Sequence, residues 1–196
     1  MLGRSARIAR RALTVVGIGT LVIAAAALPS RAQLPTYGLG RAPTPDEISA
    51  WDITIPPDGK GLPPGSGTAT SGKAVYTERC ASCHGEKGND GKYDPLVGGR
   101  GTLTTDKPVK TVGSYWPYAT TLWSYINRAQ PFDEPGSLTH AQVYAVTAFL
   151  LYLNGIIGET DVLDARTLPA VKMPNRDGFV PDPRPDVGRT AVPKKR

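Results

Sequence analysis

Cys80-Ala81-Ser82-Cys83-His84 is the stretch whose reading decides the rest of the chain. It is a single C-x-x-C-H, the pattern by which a c-type haem is attached covalently. On a helical turn, positions i, i+3 and i+4 fall on one face. Cys80 and Cys83 can then reach the two haem vinyl groups while His84 turns its imidazole to the iron. The motif uses both cysteines of the chain. Three other readings compete with this one. A redox C-x-x-C pair does not need the following histidine. A zinc site needs two more ligands, and the sequence offers no second Cys/His pair. A five-residue pattern can also match by chance, so its context carries weight, and here that context is an exporting N-terminus.

Arg4, Arg7, Arg10 and Arg11 precede an apolar run from Ala12 to Leu28, and Pro29-Ser30-Arg31-Ala32 follows. A basic region, an apolar stretch and a small-x-small site describe a secretory signal peptide over residues 1–32, cut after Ala32. The run is 17 residues long with two glycines. That is the lower edge of what spans a bilayer, so an uncleaved anchor is the alternative. Export implies a periplasmic protein, which suits the motif, because bacteria attach c-type haem on the far side of the membrane. With the signal removed, no membrane span is expected.

Cleavage also changes the charge argument. The first 32 residues hold five of the 23 basic side chains and no acid, leaving 18 basic against 17 acidic residues. The isoelectric point of about 9.4 therefore mostly reports the signal segment, and a nucleic-acid partner is not implied. The remaining length suits one domain. With 19 prolines and 22 glycines, long irregular segments are expected to wrap a small helical core.

Residues 33–68 are rich in Pro and Gly and read as an extended surface strap. Thr44 can cap a helix, Pro45 fits its first position and Asp46-Glu47 favour the positive dipole end, which predicts a short helix over about Pro45–Ala50. Ile48 and Trp51 are its expected apolar anchors, and Trp51, Ile53 and Ile55 argue for docking rather than a disordered linker. A second helix is expected from Ser71, running through Val75 and Tyr76 into the Cys80 motif. The segment from Gly85 to Gly91 is a turn-rich loop. Tyr115-Trp116-Pro117-Tyr118 could wall the haem and donate hydrogen bonds to its propionates, with simple core packing as the alternative. A helix is expected over about Ala119–Ala129, ended by Pro131. The clearest helix runs from Leu138 to Asn154, with Thr139 and Gln142 as a capping box and Gly155 at the stop. It is apolar almost all round, the mark of a helix buried on most sides. From Pro181 the sequence is rich in Pro and charge and reads as a mobile tail, 181–196. The fold class is all-α, one domain over 69–180 around one haem, with long irregular extensions.

A low-spin electron-transfer haem needs a second axial ligand, usually His or Met. Met173 is the only methionine after the signal segment, and His140 is the only other histidine. His140 sits at a polar helix start, an ordinary place for a solvated side chain. Elimination leaves Met173, whose thioether would raise the reduction potential.

Four stretches carry a family resemblance: Gly59-Lys60-Gly61-Leu62-Pro63-Pro64-Gly65-Ser66-Gly67, Thr111-Val112-Gly113-Ser114-Tyr115-Trp116-Pro117-Tyr118, Leu151-Tyr152-Leu153-Asn154-Gly155 and Met173-Pro174-Asn175-Arg176-Asp177-Gly178-Phe179. From about Tyr37 to Val187 the chain resembles the c-type cytochrome subunit of Sox sulfane dehydrogenases, the SoxD type. The resemblance implies one covalent haem c with iron ligands His84 and Met173, the methionine arriving after the last core helix. Class I cytochromes c place a Pro-Leu like Pro95-Leu96 so that a carbonyl accepts the His Nδ1–H. That resemblance assigns the Pro95 carbonyl, with Pro95 as a plain loop breaker the alternative. Related chains often read Ala-Met-Pro-Phe where Ala129-Gln130-Pro131-Phe132 stands here, so that site is not the ligand. Some relatives carry a second haem domain, and this sequence has one C-x-x-C-H. The implied partners are a molybdenum-containing, sulfite-oxidase-like dehydrogenase subunit and a soluble cytochrome c acceptor. The implied function is electron transfer from sulfite or sulfane oxidation to respiration. The rival readings are a haem enzyme oxidising an inorganic sulfur compound itself, in the manner of a thiosulfate dehydrogenase, and a gas-binding haem sensor.

Overall fold

The computed structural model describes residues 37–182; the expected signal segment and positions 183–196 of the expected tail lie outside the described residues. Two compact units divide between Thr44 and Pro45. Of the first, residues 37–44 are described; they are exposed and hold neither helix nor strand.

In the second unit, α1 (Pro45–Trp51) forms where the Thr-Pro-Asp-Glu start predicts it. Its expected anchoring does not occur. No residue of α1 is buried, and Trp51 is 87% exposed. The strap docks later in the chain, where Ile55 enters the core and its N–H donates to Ser124 Oγ at 3.1 Å. The Pro57 carbonyl accepts from Thr120 Oγ1 and the Pro63 carbonyl from the Tyr144 hydroxyl. Prolines lack an N–H but keep their acceptors, so a Pro-rich segment is tied down here through its carbonyls.

β1 (Ser66–Gly67) leads into α2 (Ala69–Arg79). The helix starts two residues before the expected Ser71, because Thr68 is its cap. Thr68 Oγ1 accepts from the Ser71 N–H and Ser71 Oγ accepts from the Thr68 N–H. Ser71 therefore supplies the third-position half of a capping box rather than the start. α3 (Ala81–His84) follows after a break at Cys80. α4 (Ala119–Ala129) has the expected bounds. α5 (His140–Leu153) lies just inside the expected ones, since Thr139 caps it and Gln142 returns the bond. Val143 to Leu151 are all buried, and each large apolar side chain among them is worth roughly 1.5–3 kcal/mol of burial.

α2 crosses α5 at Gly72, where any Cβ would run into the Ala145 carbonyl and Phe149. Tyr76, one turn on, packs its ring on Phe149 at 5.2 Å between centroids. Two features escape the sequence pattern. β2 (Leu163–Asp164) pairs antiparallel with β1, Gly67 opposite Leu163, and a 3-10 turn at Leu168–Ala170 puts Leu168 in the core. The architecture is mainly helical, as expected, with irregular segments on either side of the helices. Among the described residues no helix is long and apolar enough to cross a membrane.

Candidate haem site

Cys80 breaks α2, and the chain restarts as the single turn of α3. The Cys80 carbonyl accepts from the N–H of both Cys83 and His84. Those bonds are what bring the two cysteines and the histidine onto one face of one turn. Both thiols are free and partly buried. Burial pushes the Cys80 thiol up to about 11, so the free side chain stays protonated at neutral pH.

The loop beyond the turn folds back onto it. Lys92 N–H and Tyr93 N–H both donate to the Cys83 carbonyl. Gly91 lies so close to the Cys83 and His84 backbone that no side chain fits there. The buried Tyr76 hydroxyl donates to the Gly85 carbonyl at 2.9 Å, fixing the residue after His84 to α2. The histidine is thus held by backbone on both sides.

His84 Nδ1 is buried and has no hydrogen-bond partner in the protein. The Pro95 carbonyl, the expected acceptor, does not take this bond. The Pro95 loop is held instead from Gly88, whose carbonyl accepts from Leu96 N–H and Val97 N–H, and from Asn154. Asn154 Nδ2 donates to the Leu96 and Leu150 carbonyls, and its Oδ1 accepts from Gly98 N–H. The Arg100 guanidinium adds a bond to the Asn154 carbonyl at 2.7 Å. Asn154 thereby locks the loop facing the motif to the end of α5. In the sequence Asn154 reads only as a helix end, and its place in one of the four family-like stretches is the signal that marks it.

Met173 is 3% exposed and belongs to the same apolar cluster that Cys80, Ala81 and Leu96 pack against. Its segment is tied to the aromatic run, since Asn175 Nδ2 donates to the Tyr115 carbonyl. The Arg176 guanidinium lies over the Tyr118 ring, and Tyr115 meets Phe179 edge-on. The expected aromatic wall therefore gathers the Met173 segment. His140 goes elsewhere: it is exposed, its ring 6.0 Å from that of Trp123.

The residues fit a covalent haem. Two thiols and an imidazole share one turn, and a buried thioether lies in the adjoining core. Among the described residues no group of three or more His, Cys, Asp or Glu side chains could hold a separate metal ion.

Comparison with known proteins agrees with that geometry. Residues 69–154 match the family described as Cytochrome c, so the fold and site define a c-type cytochrome. The chain is also similar to the crystal structure of the sulfane dehydrogenase SoxCD from Paracoccus pantotrophus. The identity is 44% over 82% of this chain and 80% of that one, with a TM-score of 0.68. No curated protein matches significantly. The chain belongs to the family of cytochrome c subunits of sulfane dehydrogenases, the SoxD type.

Proposed function

We propose that this chain is an exported, periplasmic monohaem cytochrome. It accepts electrons one at a time from a molybdenum dehydrogenase subunit acting on sulfite or sulfane sulfur, and passes them to a soluble cytochrome c. The observation that carries this reading is the Cys80–His84 turn within a fold 44% identical to a chain of a sulfane dehydrogenase. When bound, haem c supplies reversible one-electron chemistry. Cys80 and Cys83 would hold it through thioether bonds, with His84 of the motif and Met173 of the segment after α5 as the residues that would ligate its iron.

The protein's own contribution is rigidity and dryness. Bonds and close packing at Cys83, Gly85 and Gly91 fix the backbone that carries His84, which would limit movement of that ligand's attachment point. The apolar cluster around Met173 excludes water from the other ligand, which favours the less charged, ferrous state.

The test is reduction of the holoprotein by sulfite or thiosulfate, with and without the purified molybdenum subunit. Substrate-dependent reduction only when that subunit is added is the expected result. Rapid reduction by the sulfur compound alone would overturn the carrier reading and make the chain an enzyme in its own right.

A further inference from the structure

We propose that α1 and the strap just after it form the surface by which this cytochrome docks its dehydrogenase subunit. The inference rests on the partnership proposed above and adds where it is made. α1 has seven residues and buries none of them. A helix that short is marginal in water unless packing supports it. Its apolar side chains Ile48 and Trp51 are 53% and 87% exposed, and Ile53, in the strap just after it, is 55% exposed. Together they present on the order of 400 Å² of mostly apolar surface, the size of the largest apolar patch on an ordinary monomer, which is often a functional one.

The surface continues into an open cavity of about 670 Å³, walled by strap residues from Asp52 to Pro56 and by α4. Trp123 lines this cavity, and its indole N–H is buried without a hydrogen-bond partner. An unsatisfied buried donor costs about 1–3 kcal/mol, and a carbonyl or carboxylate from a partner would relieve it.

Area argues against a second copy of the chain as the occupant. Two such patches meeting face to face would bury roughly 800 Å², below the ~1,000 Å² of a stable interface. A larger heterologous partner can cover the patch and the cavity together. The similarity to SoxCD covers 82% of the chain, whereas the cytochrome c match ends at residues 69 and 154. The likeness therefore runs into the flanks, which an electron-transfer domain alone does not need. Asp46 and Asp52 flank the patch in sequence and Lys60 lines the cavity, so the partner surface should be apolar with a mixed rim that sets basic groups against the two aspartates.

The experiment uses full-length holoprotein and the purified molybdenum subunit of the Paracoccus pantotrophus complex. Trp51→Ala combined with Ile53→Ser should weaken binding about tenfold or more, with an unchanged haem spectrum. Trp123→Phe, which keeps the ring packing and removes the donor, should weaken it severalfold. Wild-type reduction by substrate together with equal binding by these variants would overturn the docking surface while leaving the electron-transfer reading intact. Failure of the wild type to bind or be reduced would overturn that reading and the surface with it. A concentration-dependent dimer of the holoprotein that Trp51→Ala dissolves would assign the patch to self-association instead.

Discussion

Asn154 joins two parts of the molecule that sequence order keeps apart, the loop facing the haem motif and the end of α5. Its amide suits the place because it both donates and accepts. Asn154→Asp leaves the shape but turns the donor end into an oxygen facing the Leu96 and Leu150 carbonyls, at 3.1 and 2.9 Å in the native arrangement. We expect a loss of about 2–4 kcal/mol in denaturant unfolding, with Asn154→Ala less damaging than Asp. The reverse order would show that the amide donor is not what holds the loop. Met173 sets the other residue-scale prediction. Met173→Ala should convert the haem from low-spin to a form with an open or water-bound position, and should lower the reduction potential. His140→Ala should change neither, because that ring lies against Trp123. Spectral loss in the histidine variant alone would reassign the ligand.

At the scale of elements, the α2–α5 crossing depends on one glycine. Gly72→Ala gains about 1 kcal/mol of helix propensity, but its methyl group would meet the Ala145 carbonyl, which is backbone and yields only if the helices separate. Overpacking of this kind costs about 1–3 kcal/mol, so net destabilisation is expected, read from the urea midpoint. Asp164 governs the junction of β2 and the 3-10 turn. Its carboxylate accepts from the N–H groups of Thr167 and Arg166, and these bonds hold its pKa below the usual carboxylate range. The folded state therefore takes up a proton less readily than the unfolded chain. This contribution to stability is present above the unfolded pKa of about 4 and is lost as pH falls through the folded one. Asp164→Asn should flatten the acid side of the stability profile, and an unchanged slope below about pH 4 would show that the bonds do not couple to folding. Element positions were readable where apolar periodicity meets a clear stop, as at Pro131 after α4, or a capping box, as at Thr139 and Gln142 in α5. The two-residue ladder of β1 with β2 was not, because Gly67 and Leu163 carry no strand pattern and pair only when α5 brings both segments alongside.

For the whole molecule, the apolar cluster spans the helices, the strap at Ile55 and the late segment at Leu168 and Met173. If a covalently held haem completes this core, its loss should loosen the packing of these distant pieces. Protein made with Cys80→Ser and Cys83→Ser, and so without attached haem, should keep much of its far-ultraviolet helical signal. It should lose near-ultraviolet fine structure and expose apolar surface to a dye. Equal thermal unfolding of this variant and the holoprotein would show a core complete without haem.

The sequence by itself determined the local matters. It placed the Cys80–His84 turn, the capped helices and the choice of Met173 over His140 as candidate ligand, because these depend on spacing along one chain segment or on counting the available side chains. Only the tertiary structure decided the long-range ones. Ile55 docks while Ile48 and Trp51 do not, since burial requires a facing surface that no local pattern reports. His84 Nδ1 has no partner in the protein, and the residues after Pro95 are held by Gly88 and Asn154, which lie outside the motif. Asn154 emerges as the tie between haem loop and last helix for the same reason: a hydrogen bond across 56 residues, from Gly98 to Asn154, is written in the packing and not in either neighbourhood.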